Sequence, residues 1–350
     1  MMGILQKMTL LCCLWSSICG ASIALGAAQS DGKLQIFFVD VEGGQSTLFV
    51  TPTGESLLID TGWPGHEGRD ADRIAAVAKK AGISKIDYVL FTHYHDDHVG
   101  GAPQLVARIP VGTFIDHGPN RETSDAVTEH GYEAYQQILA TGKYKHIVAK
   151  PGDVLPIKGI KALVISADGN LIDHALPGGG EQNAYCKASE TRAADQTENS
   201  RSLGVLITFG NLRILDLGDL TWDKEMQLMC PINKLGHVNI LVVSHHGWYQ
   251  SSSPALVDAI HPQVAIMDNG ATKGGSRATL ETFKKVPGLE TLWQLHYSEE
   301  GGAADNTEAQ FIANLQGADS GNYLELDAAP TGNFSVLNPR TGESKAYSAR

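Results

Sequence analysis

From position 34 onward, apolar residues fall into short runs whose period changes along the chain. The runs 34–39, 46–51 and 56–60 are apolar or β-branched and are separated by Gly43-Gly44 and by the turn Pro52-Thr53-Gly54, so they read as strands. Over 70–81 the period becomes helical, with Ile74, Val77, Ala78 and Ala81 on one face and Gly82 as the stop. The run 86–92, apolar apart from Asp87, predicts a buried strand that delivers the chain into His93. A helix is expected after Gly100-Gly101 and a longer one over 124–139, followed by strands near 146–149 and 161–166.

Residues 168–198 are polar, Gly-rich and aperiodic, which predicts a long loop of the kind that serves as a lid or binding element. Strands resume at 203–209 and 212–217, and a helix follows at 221–229. A buried strand at 238–244 then runs into His245-His246. Two αβ units come next, 253–260 with 263–268 and 278–286 with 291–296. The tail after Gly301 is polar and carries two short strand patterns, 323–327 and 333–337. The interleaving recurs in the second half without a linker. It predicts one α/β domain over 29–350, two sheets between helices, with a polar C-terminal extension from about 301. Polar residues collect where the apolar strands end, the usual place for chemistry in such folds. No period of the length used by solenoids or propellers repeats along the chain.

The first 28 residues differ from the rest. Lys7 is their only charge, 8–25 is an apolar run, and Ala24-Leu25-Gly26-Ala27-Ala28 suits signal-peptidase cleavage. The run is short for a bilayer span, so an export signal over 1–28 is expected rather than a membrane anchor. The chain then becomes periplasmic or secreted, with no stable membrane span. Removing Lys7 takes the net charge from −12 to −13. Of five cysteines, Cys12, Cys13 and Cys19 leave with the signal. Cys186 and Cys230 remain, either bridged in an oxidising compartment or free and buried.

The densest chemistry is Thr92-His93-Tyr94-His95-Asp96-Asp97-His98-Val99-Gly100-Gly101. Three histidines and two aspartates directly after a buried strand suit a metal site better than a solvated loop. On a strand or tight loop, His93 and His95 share a side, and Asp97 and His98 reach a second position nearby. Imidazole and carboxylate ligands suit zinc, with manganese or iron as alternatives.

His-x-His-x-Asp-His at 93–98 resembles the signature of the metallo-β-lactamase superfamily, and other motifs follow in that family's order. Leu58-Ile59-Asp60-Thr61-Gly62 resembles its first motif, which implies that Asp60 supports the metal loop. Gly218-Asp219 resembles the motif whose carboxylate bridges two metals, and His245-His246-Gly247 the last histidine motif. The resemblance implies a four-layer αββα sandwich and a two-metal hydrolase, with His93, His95, Asp97, His98, Asp219, His245 and His246 as ligands. Asp97 or Asp219 would orient the attacking water and take up its proton.

Phe37-Phe38-Val39-Asp40-Val41-Glu42-Gly43-Gly44-Gln45-Ser46 and Asn199-Ser200-Arg201-Ser202-Leu203 are similar to one branch of that family. This branch contains the hydrolase domain of the DNA-uptake competence channel and phosphorylcholine esterases. In most of the superfamily a third histidine for the first metal stands where this chain has Asn199, 20 residues before Asp219. The branch shares that substitution. It leaves either a weaker first site or a His245-His246 pair that supplies both sites. Strand alternation sends adjacent rings to opposite faces, but a turn starts at this pair and can redirect either ring. His245 is preferred and both are retained.

Weaker signals remain. Asn269-Gly270-Ala271-Thr272-Lys273-Gly274-Gly275-Ser276 is either a plain Gly-rich turn or an anion cradle using Lys273 or Ser276. His296 and His117 read first as hydrogen-bonded, partly buried histidines and second as substrate contacts. Lys143, Lys145, Lys150, Lys158 and Lys161 read as a solvated strand edge rather than a polyanion track, given the acidic whole. Three functions fit the sequence. The first is hydrolysis of a phosphodiester or related ester, favoured by the branch; tight non-specific nucleic-acid binding is not expected. The second is hydrolysis of small cyclic amides or lactones, β-lactams included. The third is metal binding without catalysis. Diiron flavoprotein reductases place Glu where this chain has His95, and sulfur dioxygenases lack the branch motifs.

Overall fold

The computed structural model describes residues 32–317 and 320–350. The expected export signal lies outside the described residues. Strands β1 (Leu34–Phe38), β2 (Thr47–Val50) and β3 (Ser56–Ile59) form an antiparallel meander. Helix α1 (Arg69–Lys80) then crosses to β4 (Ile86–Leu90), which pairs parallel with β3. The short helices α2 (Asp96–Val99) and α3 (Ala102–Val106) lead to β5 (Val111–Asp116). Helix α4 (Ala126–Ala140) leads to the edge strand β6 (Lys145–Val148).

The second sheet opens with β7 (Lys161–Ala167) and β8 (Asn170–Leu171), and β9 (Glu181–Gln182) stands apart in the loop. Next come β10 (Gly204–Phe209), β11 (Leu212–Asp216), α5 (Trp222–Met229) and β12 (Ile232–Asn233). Strand β13 (Ile240–Val242), α6 (Pro254–Ile260), β14 (Val264–Met267), α7 (Arg277–Phe283) and β15 (Thr291–His296) follow as parallel αβ units. Helix α8 (Gly302–Asp305) and β16 (Ile312–Asn314) close this half. The chain then returns to the first sheet as β17 (Leu324–Ala328), β18 (Asn333–Asn338) and β19 (Glu343–Ser348).

One sheet runs β19-β18-β17-β1-β2-β3-β4-β5-β6 and the other β16-β15-β14-β13-β11-β10-β7-β8. Alternation along each strand decides which layer a residue joins. In β1, Leu34, Ile36 and Phe38 enter the core between the sheets, with Val205, Ile240 and Trp293 of the other sheet. Phe37 points the opposite way, into the layer where Ile74, Val77 and Ala78 of α1 pack. The far face of the second sheet, with Leu215, Leu241 and Ala265, is covered by α5, α6 and α7 through Leu228, Leu256 and Leu280. The result is an α/β sandwich in the helix–sheet–sheet–helix order that the resemblance implied.

Three local expectations change. The segment after 301 does not stand off as an extension: it supplies three strands to the first sheet, where β17 pairs with β1. The metal loop is neither strand nor plain loop, because the chain leaves β4 and winds into the helical turn α2 at Asp96. The polar stretch 168–198 contains little regular structure, but it is tied down by a disulfide between Cys186 and Cys230. Its tethered part lies against α5 and α6, where the Asn183 amide donates to Met229 O and Ala255 O.

Candidate metal centre

The sequence-predicted ligands converge from four strand ends, following β4, β11, β13 and, through a loop, the entry to β10. Asp60, at the end of β3, organises the first of them. One carboxylate oxygen accepts from Thr92 N at 2.8 Å; the other accepts from Thr92 Oγ1 at 2.6 Å and lies 2.7 Å from His98 Nδ1. Asp60 has φ 60, an uncommon left-handed geometry that turns its carboxylate under the loop. Held this way, His98 presents Nε2 to the centre. His93 Nδ1 rests on Thr92 Oγ1 at 3.0 Å, so its Nε2 also faces inward. His95 faces inward with Nδ1, 3.0 Å from His93 Nε2, while its Nε2 meets Glu122 at 2.9 Å. Such partners on the outer ring nitrogen fix tautomer and orientation in metal sites.

Asp219 follows Gly218 after β11. The left-handed Gly218 (φ 55) packs where a Cβ would stand 2.7 Å from Thr92 Cβ, so only glycine lets the two loops meet. The turn is held from Asp216, which accepts from Gly218 N at 3.0 Å and from Gln45 Nε2 at 2.7 Å; burial pushes Asp216 up to about 7. Asp219 Oδ2 lies 3.3 Å from His98 Nε2, 3.4 Å from both His245 Nε2 and His246 Nε2, and 4.0 Å from His93 Nε2. Asp97 Oδ2 is 3.1 Å from His246 Nε2 and 3.3 Å from His98 Nε2, and is paired with Lys273 Nζ.

Both adjacent histidines therefore face the same carboxylate. Strand alternation fails here because His245 (φ 57, ψ 39) and His246 (φ 52, ψ 20) are both left-handed. The backbone turns through them instead of extending. Both histidines retained from the sequence thus meet Asp219, with His246 the more deeply buried. Asn199 lies beside this pair, its Nδ2 3.4 Å from His245 Nε2.

Burial raises Asp97 and Asp219, but Lys273 and His98 beside the first, and His246, His98 and His245 around the second, hold both well below the usual carboxylate range. Burial works against charge on the histidines too, yet Asp219 outweighs it, raising His98 well above its ordinary value and His246 to about 10. Burial keeps His93 far below its ordinary value and takes His245 down to about 4. Two buried carboxylates thus draw positive charge against themselves. Asp97, His98, Asp219 and His246 offer ligand atoms all within 4.8 Å of one another. Asp219 Oδ1 and Asn199 Oδ1 are buried with no hydrogen-bond partner among the described residues. Unpaired buried oxygens are costly, and a cation satisfies them; the donor set fits divalent metal.

Not every candidate joins the centre. His296 is buried against Asp40, Nε2 to Oδ1 2.7 Å, in a separate cluster with Glu42 that Arg73 neutralises. This is the first of the two readings given to His296, a hydrogen-bonded buried histidine, and the substrate contact is dropped because the ring is spent on Asp40. His117 is likewise sealed against Glu198 at 3.0 Å. Sequence reading missed Glu122, which belongs to no motif, and the contacts of Thr92 and Gln45, which lie inside the quoted motifs but reach Asp60 and Asp216 only through the fold.

Residues 40–180 match the family model described as the metallo-beta-lactamase superfamily. A hydroxyacylglutathione hydrolase of Stenotrophomonas maltophilia is 31% identical over 105 residues, 30% of this chain and 37% of the relative. Recombination protein 2 of Haemophilus influenzae is 26% identical over 237 residues, 67% of this chain and 24% of the relative. A UPF0173 metal-dependent hydrolase of Cupriavidus metallidurans is 23% identical over 271 residues, 76% of this chain and 82% of the relative. The chain thus spans well under half the length of the first two of these relatives.

Proposed function

We propose that this chain, whose residues 40–180 match the metallo-beta-lactamase superfamily model, is an exported hydrolase that holds two divalent ions and cleaves a phosphodiester or related ester. The observation that carries this reading is the crowding of histidine nitrogens around one oxygen, Asp219 Oδ2. Asp97, His98 and His246 would hold one ion, and His93, His95 and His245 the other, with Asp219 shared. Imidazole with carboxylate favours zinc over magnesium or calcium, and manganese or iron remain compatible.

Bound there, the ions would lower the pKa of water toward neutrality and polarise the substrate's oxygen. The chain's own part is positional. Glu122, Asp60 and Thr92 lock the rings from behind. Asp97, beside His98 and His246, or Asp219 would orient the attacking water and accept its proton.

Export is supported by the charge-poor apolar segment before residue 28 and by the bridge between Cys186 and Cys230, a bond that persists in oxidising compartments. The net charge of −12 argues for a small substrate over a nucleic-acid backbone. The test is turnover by metal-loaded mature protein of bis-p-nitrophenyl phosphate, a phosphorylcholine ester, DNA, nitrocefin and a lactone. We expect phosphodiester cleavage that a chelator abolishes and added zinc or manganese restores. Turnover of nitrocefin or the lactone alone would transfer the protein to the cyclic-amide and lactone class. No turnover of any of them would leave metal binding without catalysis.

A further inference from the structure

We infer that Lys273 is the substrate anchor of this centre, an ammonium that selects substrates bearing a phosphoryl oxyanion beside the scissile bond. The inference rests on the metal-hydrolase reading above and narrows its substrate class. Lys273 lies on the loop between β14 and α7, far in sequence from the His-rich motif. Its Nζ pairs with Asp97 Oδ2 and stands 4.7 Å over the ring of Trp63. The side chain is 34% exposed where Asp97 is 8% exposed, so Lys273 occupies the boundary between the buried ligands and solvent. Among the described residues, the other ion pairs of Asp97 and Asp219 involve histidines.

The main chain fixes this placement from two sides. Gly270 N donates to Lys273 O at 2.9 Å, and Gly275 N donates to His246 O at 2.8 Å, which ties the lysine loop to a ligand. A Cβ on Gly43 would lie 2.9 Å from both Gly270 N and Lys273 Cβ, and one on Gly44 only 2.4 Å from Asp97 O. The Gly43-Gly44 pair therefore touches the lysine loop with one residue and the ligand loop with the next. It sets the distance between Lys273 and Asp97. A solvated surface lysine needs no such joint.

Charge decides what the lysine is for. Two divalent ions against the carboxylates of Asp97 and Asp219 leave the centre positive, and an ion on Asp97 removes that oxygen's need for an ammonium. Lys273 then adds a cation where one already exceeds what the ligands neutralise, so its natural partner is an anion. A lysine is a compact point charge suited to phosphate oxygens. A neutral amide or lactone gains little from it. The shared chemistry is an oxyanion, phosphoryl or carboxylate, and the phosphoryl assignment follows from the ester reading.

The test is calorimetric titration of metal-loaded protein with inorganic phosphate and, separately, acetate, for wild type, Lys273→Met and Lys273→Arg, with metal content measured in each. We expect Lys273→Met to keep its metal and to bind phosphate at least about tenfold more weakly, the loss of one hydrogen bond to a charged group, with Lys273→Arg between. In turnover, the KM for bis-p-nitrophenyl phosphate should rise while neutral p-nitrophenyl acetate is hardly affected. Unchanged phosphate affinity at full metal content would overturn the anchor, as would a loss that merely follows loss of metal. A loss confined to acetate would overturn the phosphoryl assignment. Lysine-dependent phosphate binding in a protein that cleaves no phosphodiester would uphold the anchor while the ester reading fails.

Discussion

His245 and His246 are two successive non-glycine residues in the left-handed region, a backbone that L-residues rarely adopt. Each such residue costs on the order of 1–2 kcal/mol. The conformation places both rings against Asp219 Oδ2, which no extended strand could do. Here the sequence was half legible. The tripeptide His245-His246-Gly247 marked the site, but alternation argued for one ring and only the turn admits two. The proximity of Asn199 to His245 makes a specific expectation. His245→Ala should lower metal content toward one ion per chain, and Asn199→His in that background should recover most of it, because the Asn199 amide already lies 3.4 Å from the ring nitrogen that is removed. Elemental analysis of the three proteins checks this. Two ions retained by His245→Ala would remove His245 from the ligand set.

Among the elements, strands with apolar runs were readable and polar ones were not. The segment of β19, Glu343–Ser348, buries Tyr347 and little else, so its pattern carries no strand signal by itself; pairing with β18 makes it one. The loop 168–198 was readable as a loop, and its tether only as one of two alternatives, because two cysteines can bridge or stay free and only the fold brings them together. Cys186–Cys230 closes a separation of 44 residues. In the chain-entropy account this contributes about 4 kcal/mol of stability by restricting the unfolded chain. Reduction should therefore lower the Tm. The ligands lie on other segments, so metal content should stay unchanged. Substrate affinity should shift more than metal content, since the same segment runs on to Glu198 and Asn199 beside the centre. Thermal melts with and without reductant, paired with metal analysis, decide this; an unaltered Tm would mean the bridge does not restrict the unfolded chain.

At the scale of the whole molecule, the order of strands and helices was enough to predict two sheets between helix layers. Local pattern cannot state which distant segments meet. The contacts that make the site come from that global arrangement: Gln45 to Asp216 across the two sheets, and Gly43 against Gly270. The centre is where both sheets send their strand ends, and Asp219 is the residue on which all of its loops close. The most direct measurement of the account is the metal content of purified wild type and Asp219→Ala, by elemental analysis after reconstitution and desalting. If Asp219 serves both positions, wild type should hold close to two divalent ions per chain and Asp219→Ala fewer than one. A wild-type chain that retains no metal, or an Asp219→Ala chain that retains two ions, would contradict it.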